Sequence, residues 1–231
     1  MCNSIDEVIK SSMKIDEERK DSICRKGILL CVSGPSGVGK GTLISKVLSI
    51  RPDMRHSVSI TTRKPRPGEI EGVSYYFKSR EEFLELLGQK EILEHDEYLG
   101  NYYGTPRRPI EERMAQGKDT IMDITAPGTL NTMKLIPDAV SVFLLPPSLA
   151  ELRRRLITRG TETEDVIQER LRVSLEEIRM AKSFDYLVVN DNIDKTCETI
   201  LGILEAEQHR WKRMQGIEEE ILSEDNSKSD F

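Results

Sequence analysis

An apolar run, Gly27-Ile28-Leu29-Leu30-Cys31-Val32-Ser33, opens directly into Gly34, Pro35, Ser36, Gly37, Val38, Gly39, Lys40, Gly41 and Thr42. Leu43, Ile44, Val47 and Leu48 then follow at helical spacing. The order is buried strand, glycine-rich turn, amphipathic helix. Gly34, four intervening residues, then Gly39 and Lys40 is the spacing of a phosphate-binding loop. Such a loop curls successive backbone N–H groups around a phosphate chain, and the helix N-terminus adds its partial positive charge. With the strand before, the helix after and Lys40 in register for the β and γ phosphates, the stretch specifies a nucleoside-triphosphate site.

The position after Lys40, where such loops usually carry a Ser or Thr hydroxyl for Mg²⁺, holds Gly41, and Thr42 comes next. Either Thr42 serves, or the ion is held through waters and nucleotide oxygens, as Mg²⁺ often is. The Gly39-Lys40-Gly41-Thr42 ending is similar to that of adenylate kinases, so the loop alone implies a small kinase without naming its acceptor.

Composition narrows the setting. The 231 residues allow one domain or two small ones. A net charge of −6 argues against a general nucleic-acid binder. Cys2, Cys24, Cys31 and Cys197 are scattered with no CxxC pair, so neither a disulfide nor a zinc framework is expected, and a reducing cytoplasm is the simpler setting. No apolar stretch reaches about 18 residues, so no membrane span is expected. Residues 1–26 are mostly polar, with Ile5, Val8, Ile9 and Met13 at helical spacing, and read as an N-terminal extension.

Past the first helix, His56 to Thr62 alternates and reads as one short strand ending in Arg63-Lys64-Pro65-Arg66-Pro67-Gly68, where the prolines fix an extended turn. Seen alone, that basic turn reads equally as a solvated loop. Tyr75-Tyr76-Phe77 is a second strand. Ser79 is a candidate N-cap for a helix whose Phe83, Leu84 and Leu87 share a face. Ile92-Leu93-Glu94 and a hydroxyl-rich turn, Gly100 to Thr105, follow.

Val58-Ser59-Ile60-Thr61-Thr62-Arg63-Lys64-Pro65-Arg66-Pro67-Gly68-Glu69, then Tyr75, Glu94 and Gly100-Asn101-Tyr102-Tyr103-Gly104-Thr105, resemble the acceptor region of guanylate kinases in order and spacing. The resemblance runs from about Gly27 to about Leu204. It implies an α/β fold of the P-loop NTPase type, three-layered with a parallel core sheet, a small GMP-binding insertion and a helical lid. It also implies the substrates ATP and GMP, with Mg²⁺. The core would comprise 27–57, 106–150 and 183–212, the GMP-binding part 58–105, and the lid with its flanking helices 151–182. By the same resemblance Arg63, Arg66, Tyr75 and Tyr103 hold the GMP phosphate, and Glu94, Ser59 and Thr105 meet the guanine.

Downstream, Asp119 to Thr125 is an apolar strand ending at Asp123, an acid placed to organise the metal's waters. The family usually reads Asp-Ile-Asp then x-Gln-Gly here, whereas this chain has Asp123, Thr125 and Pro127, which removes a carboxylate. Val140 to Leu145 is a further strand, and Ser148 caps a helix with Arg153, Arg154 and Arg155. Thr161 with Glu164 matches a capping box for the next helix, with Ile167, Leu171, Leu175 and Ile178 on one face. Arg155, Arg159 and Arg170 match lid arginines that close on the triphosphate. Tyr186 to Asn190 is the last core strand. Asn190 lies at the ligand edge, where the family places adenine. Ile193, Cys197, Ile200, Leu204 and Trp211 mark a final helix, and 213–231 reads as a disordered acidic tail.

A carboxylate can accept from guanine N1–H and the 2-amino group together. Adenine has an acceptor at N1 and no 2-amino group, so it would leave the carboxylate unpaired. Such a site discriminates by roughly 10⁴ or more. Two other readings stay open. One is a catalytically silent peptide-binding relative, which typically lacks the intact loop. The other is a kinase for a different nucleotide, prompted by Gly41, Thr125 and Pro127. A GTPase switch is disfavoured because no NKxD-type signature is present. Monomer and homo-oligomer both remain compatible with the sequence.

Overall fold

The computed structural model describes residues 26–98, 100–158 and 164–226. The expected N-terminal extension, apart from Lys26, lies outside them, as do Arg159 and Thr161.

The core is a parallel sheet of five strands: β1 (Leu29–Ser33), β2 (Arg55–His56), β7 (Thr120–Asp123), β8 (Val140–Leu145) and β9 (Tyr186–Val189), in the order β2-β7-β1-β8-β9. Strand β1 is central and wholly buried, as an uninterrupted apolar run requires when both sheet faces are covered. Its alternate side chains go to different layers. Ile28, Leu30 and Val32 pack with Leu43, Val47, Ile200 and Leu204, from α1 (Lys40–Ile50) and α7 (Ile193–Gln208). Leu29 and Cys31 pack on the other side with Ile110 and Met114 of α3 (Arg107–Ala115). The same alternation on β8 sends Val142 and Leu144 to the first layer and Phe143 to a cluster with Ala126, Ala181 and Phe184. The result is a three-layer α/β fold.

A second sheet, ordered β4-β3-β6-β5, comprises β3 (Ile60–Thr61), β4 (Tyr76–Phe77), β5 (Ile92–Tyr98) and β6 (Asn101–Pro106). It packs on α2 (Arg80–Gly88) through Phe83, Ile60 and Ile92. Leu93 of β5 turns the other way, into the core cluster with Cys31, and so ties this sheet to the core.

The structure corrects several expectations. The run from His56 to Thr62 is two strands in two sheets: His56 pairs with Ile121, whereas Ile60 and Thr61 pair with Gly104 and Tyr103. The hydroxyl-rich stretch before Thr105 is strand β6, turning only at Gly100 (φ 74°), because its backbone has β5 on one side and β3 on the other. Leu84 is exposed, since α2 centres its apolar face on Phe83, Leu86 and Leu87. On α6 (Glu164–Met180), Leu175 is likewise exposed and Ser174 takes the buried place beside Ile167 and Ile178. Trp211 stands outside the last core helix, in a separate 3₁₀ turn (Trp211–Arg213), and is exposed. Within the stretch expected as a disordered tail, residues 217–226 form a helix, α8 (Ile217–Asn226), and 227–231 lie outside the described residues.

Two expected helix starts are present. Ser79 Oγ accepts from Glu82 N at 3.1 Å while Glu82 returns the bond to Ser79 N, a full capping box. Ser148 Oγ accepts from Glu151 N at 3.1 Å at the start of α5 (Leu149–Thr158).

Candidate active site

The glycine-rich loop joins β1 to α1. Gly34, Gly37 and Gly39 have φ of 149°, 87° and 102°, so at 37 and 39 only glycine sits without strain. Gly39 O accepts from Leu43 N at 3.1 Å and begins the helix. Lys40 folds back across the loop and donates from Nζ to Gly34 O at 2.6 Å. At Gly41 an added Cβ would have nothing within 4 Å, so the missing hydroxyl is not imposed by protein crowding.

The basic turn presents Arg63 as the centre of a cluster. Its Nη2 donates to Glu69 Oε1 at 2.7 Å, its Nη1 to Lys64 O at 2.8 Å, and its guanidinium lies 5.4 Å from the Tyr75 ring centre. The Tyr75 and Tyr103 rings meet edge to face at 6.1 Å. Glu69 also accepts from Arg66 N at 2.7 Å, so one carboxylate fixes both the Arg63 side chain and the turn's backbone. That pairing holds the Glu69 carboxyl below the usual range. The Arg66 side chain points to solvent.

At the far end of the same sheet, Glu94 is 7 % exposed and Oε1 accepts the Thr105 hydroxyl at 2.7 Å. Burial pushes the Glu94 pKa up, partly opposed by that bond. Its other oxygen lies against the start of α4 (Ala126–Leu135), where a Cβ on Gly128 would come within 2.6 Å of it. Ser59 is half-buried and its carbonyl accepts from Tyr76 N at 2.9 Å.

Asp123 ends β7 between the two clusters. It remains solvent-accessible but recessed, and desolvation raises its pKa while Lys40 and His56 oppose the rise. Tyr75 in turn feels the charges of Arg63 and Asp123. Asp123 is thus influenced by Lys40 on one side and influences Tyr75 on the other. The replacements two and four residues on have a structural reason: Thr125 caps α4, its Oγ1 accepting from Gly128 N at 3.2 Å, and Pro127 occupies the first turn. Among the described residues no group of three or more His, Cys, Asp or Glu could hold a metal ion. Asp123 and the Thr42 hydroxyl would suit an ion held mainly by its own waters and by nucleotide phosphates.

The expected lid arginines part company. Arg170 Nη1 donates to Ser36 Oγ at 3.3 Å and so reaches the loop. Arg155 is spent behind it: Nε donates to Glu151 at 2.8 Å, Nη1 to Val38 O at 3.2 Å and Nη2 to Asn190 O at 3.1 Å. Asn190 is 4 % exposed, and its side chain donates to Val38 O at 2.8 Å. Both residues thus hold the loop's backbone.

Sequence reasoning missed Glu69, Glu177 and Thr196, whose hydroxyl donates to Asn190 Oδ1 at 3.0 Å. Glu69 had a signal, since it closes the Pro67-Gly68 turn (Gly68 φ 87°). Glu177 on α6 lies close enough to Lys40 and the Ser36 main-chain N–H for both to oppose its burial-raised pKa. No sequence pattern announces it.

The guanylate kinase family description matches residues 26–207. A guanylate kinase of Bacillus cereus is 48% identical over 192 residues, covering 82% of this chain and 93% of the relative. One of Lactococcus lactis is 46% identical over 189 residues, covering 82% and 92%. The crystal structure of guanylate kinase from Anaplasma phagocytophilum superposes with a TM-score of 0.70 at 38% identity, covering 84% of this chain and 93% of that one. With the family description and these relatives in agreement over most of its length, the chain belongs to the guanylate kinase family.

Proposed function

We propose that the protein transfers the γ-phosphoryl group of ATP to GMP, giving ADP and GDP. The observation that carries this is one sheet bearing both the Arg63–Tyr75–Tyr103 cluster and the buried Glu94–Thr105 pair, and tied through Leu93 to the core that carries the glycine-rich loop and Lys40. Arg63, Tyr75 and Tyr103 hold the GMP phosphate, with Arg66 turning in from solvent, and charge-assisted bonds from Arg63 replace its bond to Glu69. Glu94 accepts from guanine N1–H and the 2-amino group, with Thr105 and Ser59 supplying hydroxyls nearby.

A GMP phosphate oxygen attacks the γ-phosphorus in line, the bond to the β-phosphate bridging oxygen breaks, and ADP leaves. Little covalent chemistry falls to the protein, whose work is alignment and neutralising charge on the transferring group. Main-chain amides of residues 37–42 grip the donor, Lys40 leaves the Gly34 carbonyl for the phosphates, and Arg170, with Arg159 by resemblance, closes over them. Mg²⁺ bound with ATP would supply charge neutralisation at the phosphates.

The test is to incubate the protein with GMP and ATP labelled in its γ-phosphate. Label in GDP is the expected result. Label released only as inorganic phosphate, or retained in ATP, would contradict the reading.

A further inference from the structure

The peptide that joins Val38 to Gly39 is clamped from outside the loop. Its carbonyl accepts from Asn190 Nδ2 at 2.8 Å and from Arg155 Nη1 at 3.2 Å. Both donors are themselves braced. Asn190 Oδ1 accepts the Thr196 hydroxyl at 3.0 Å, and Arg155 is tied to Glu151 at 2.8 Å. Arg154 and Arg155 both donate to Glu151 and together hold its pKa down to about 2. Glycine at 39 is what lets the amide approach, because a Cβ there would lie 2.7 Å from Asn190 Nδ2.

A trans peptide is planar, with its C=O and N–H on opposite sides. Holding the Val38 carbonyl toward Asn190 and Arg155 therefore turns the Gly39 N–H the other way, away from both side chains. Were that peptide to flip, it would offer a phosphate a carbonyl oxygen where it needs a donor. We propose that Asn190 and Arg155 are positioning residues for the donor's phosphate chain: together, braced by Thr196, they fix the direction of the Gly39 amide. The proposal rests on the reading of the loop as the ATP phosphate site. It differs from an adenine-contact role for Asn190 in a measurable way, because orienting a main-chain amide affects any polyphosphate, with or without a base.

The test uses the full chain and titration calorimetry with ADP, inorganic tripolyphosphate and GMP, the first two with Mg²⁺. Asn190→Asp keeps the size and the acceptor for Thr196 but donates nothing to Val38 O. Arg155→Met removes the other donor from a less buried position. Each substitution is expected to weaken ADP and tripolyphosphate by a common factor of roughly tenfold, the scale of losing one hydrogen bond to a buried group. GMP affinity stays within a factor of about two, as for a site with no shared partner. The double variant should lose less than the product of the single losses, since both donors act on one carbonyl. A loss confined to ADP would make Asn190 an adenine contact and overturn the proposal. Unchanged binding of both polyphosphates would overturn it, and so would a matching loss for GMP, which marks a fold defect. If the unsubstituted protein binds neither ADP nor tripolyphosphate, the reading of the loop itself fails.

Discussion

Glu94 and Thr105 face each other across the β5–β6 hairpin, and the Thr105 hydroxyl donates to the largely buried Glu94 carboxylate at 2.7 Å. In the free protein this is a carboxylate given one hydrogen bond where several are needed. Its pKa is accordingly raised by burial. A carboxyl whose folded pKa lies above its unfolded value contributes fully to stability below the unfolded value, and that contribution is lost as pH rises through the folded one.

Glu94→Gln should therefore raise the thermal midpoint of the free protein at pH 7 to 8. The gain should shrink toward zero as pH falls below the ordinary carboxyl pKa of 4.5. Melting curves of both proteins across that range check it; a variant less stable at neutral pH would contradict the burial argument.

Gly128 has no side chain where the second Glu94 oxygen lies, and a Cβ there would come within 2.6 Å. Gly128→Ala pushes the carboxylate out of place. Steady-state kinetics should show KM for GMP rising roughly tenfold, the scale of one misplaced hydrogen bond to a charged group. KM for ATP should change little. Equal changes in both would point to a displaced α4 instead.

Lys40 has Gly34 O as its partner in the free loop. Lys40→Ala leaves that carbonyl to water and should unfold at nearly the same temperature. Turnover should fall by roughly 10² to 10³, the cost of one missing transition-state contact. Turnover within a factor of a few of the parent would remove Lys40 from the chemistry.

Gly41 has space on every side within 4 Å and no positive φ. Gly41→Ala should stabilise the free protein by up to about 0.5–1 kcal/mol through helix propensity. Chemical denaturation with matched slopes checks it, and a destabilised variant would show that the loop relies on glycine there.

The strand, loop and first helix were legible because their chemistry is local: spacing alone brings Gly34, Gly39 and Lys40 round one phosphate site. Glu94 and Arg63 were legible through the stretches around them. What the sequence hid depends on partners far along the chain. The run at 56–62 splits because Ile121 claims one end and Tyr103 the other. Asn190 and Arg155 face a carbonyl 152 and 117 residues away, and no local pattern marks that meeting. Thr125 keeps a hydrogen bond but no charge, and its partner, the amide opening α4, is not marked by any local pattern.

Selection of guanine by one buried anion is the centre of the account, and kcat/KM for GMP and for AMP, measured with the parent and with Glu94→Gln, tests it most directly. The parent should favour GMP by roughly 10⁴ or more, and the variant should lose most of that preference through GMP alone, with kcat/KM for AMP no lower than before. A variant that keeps the full preference would show that the purine is chosen elsewhere.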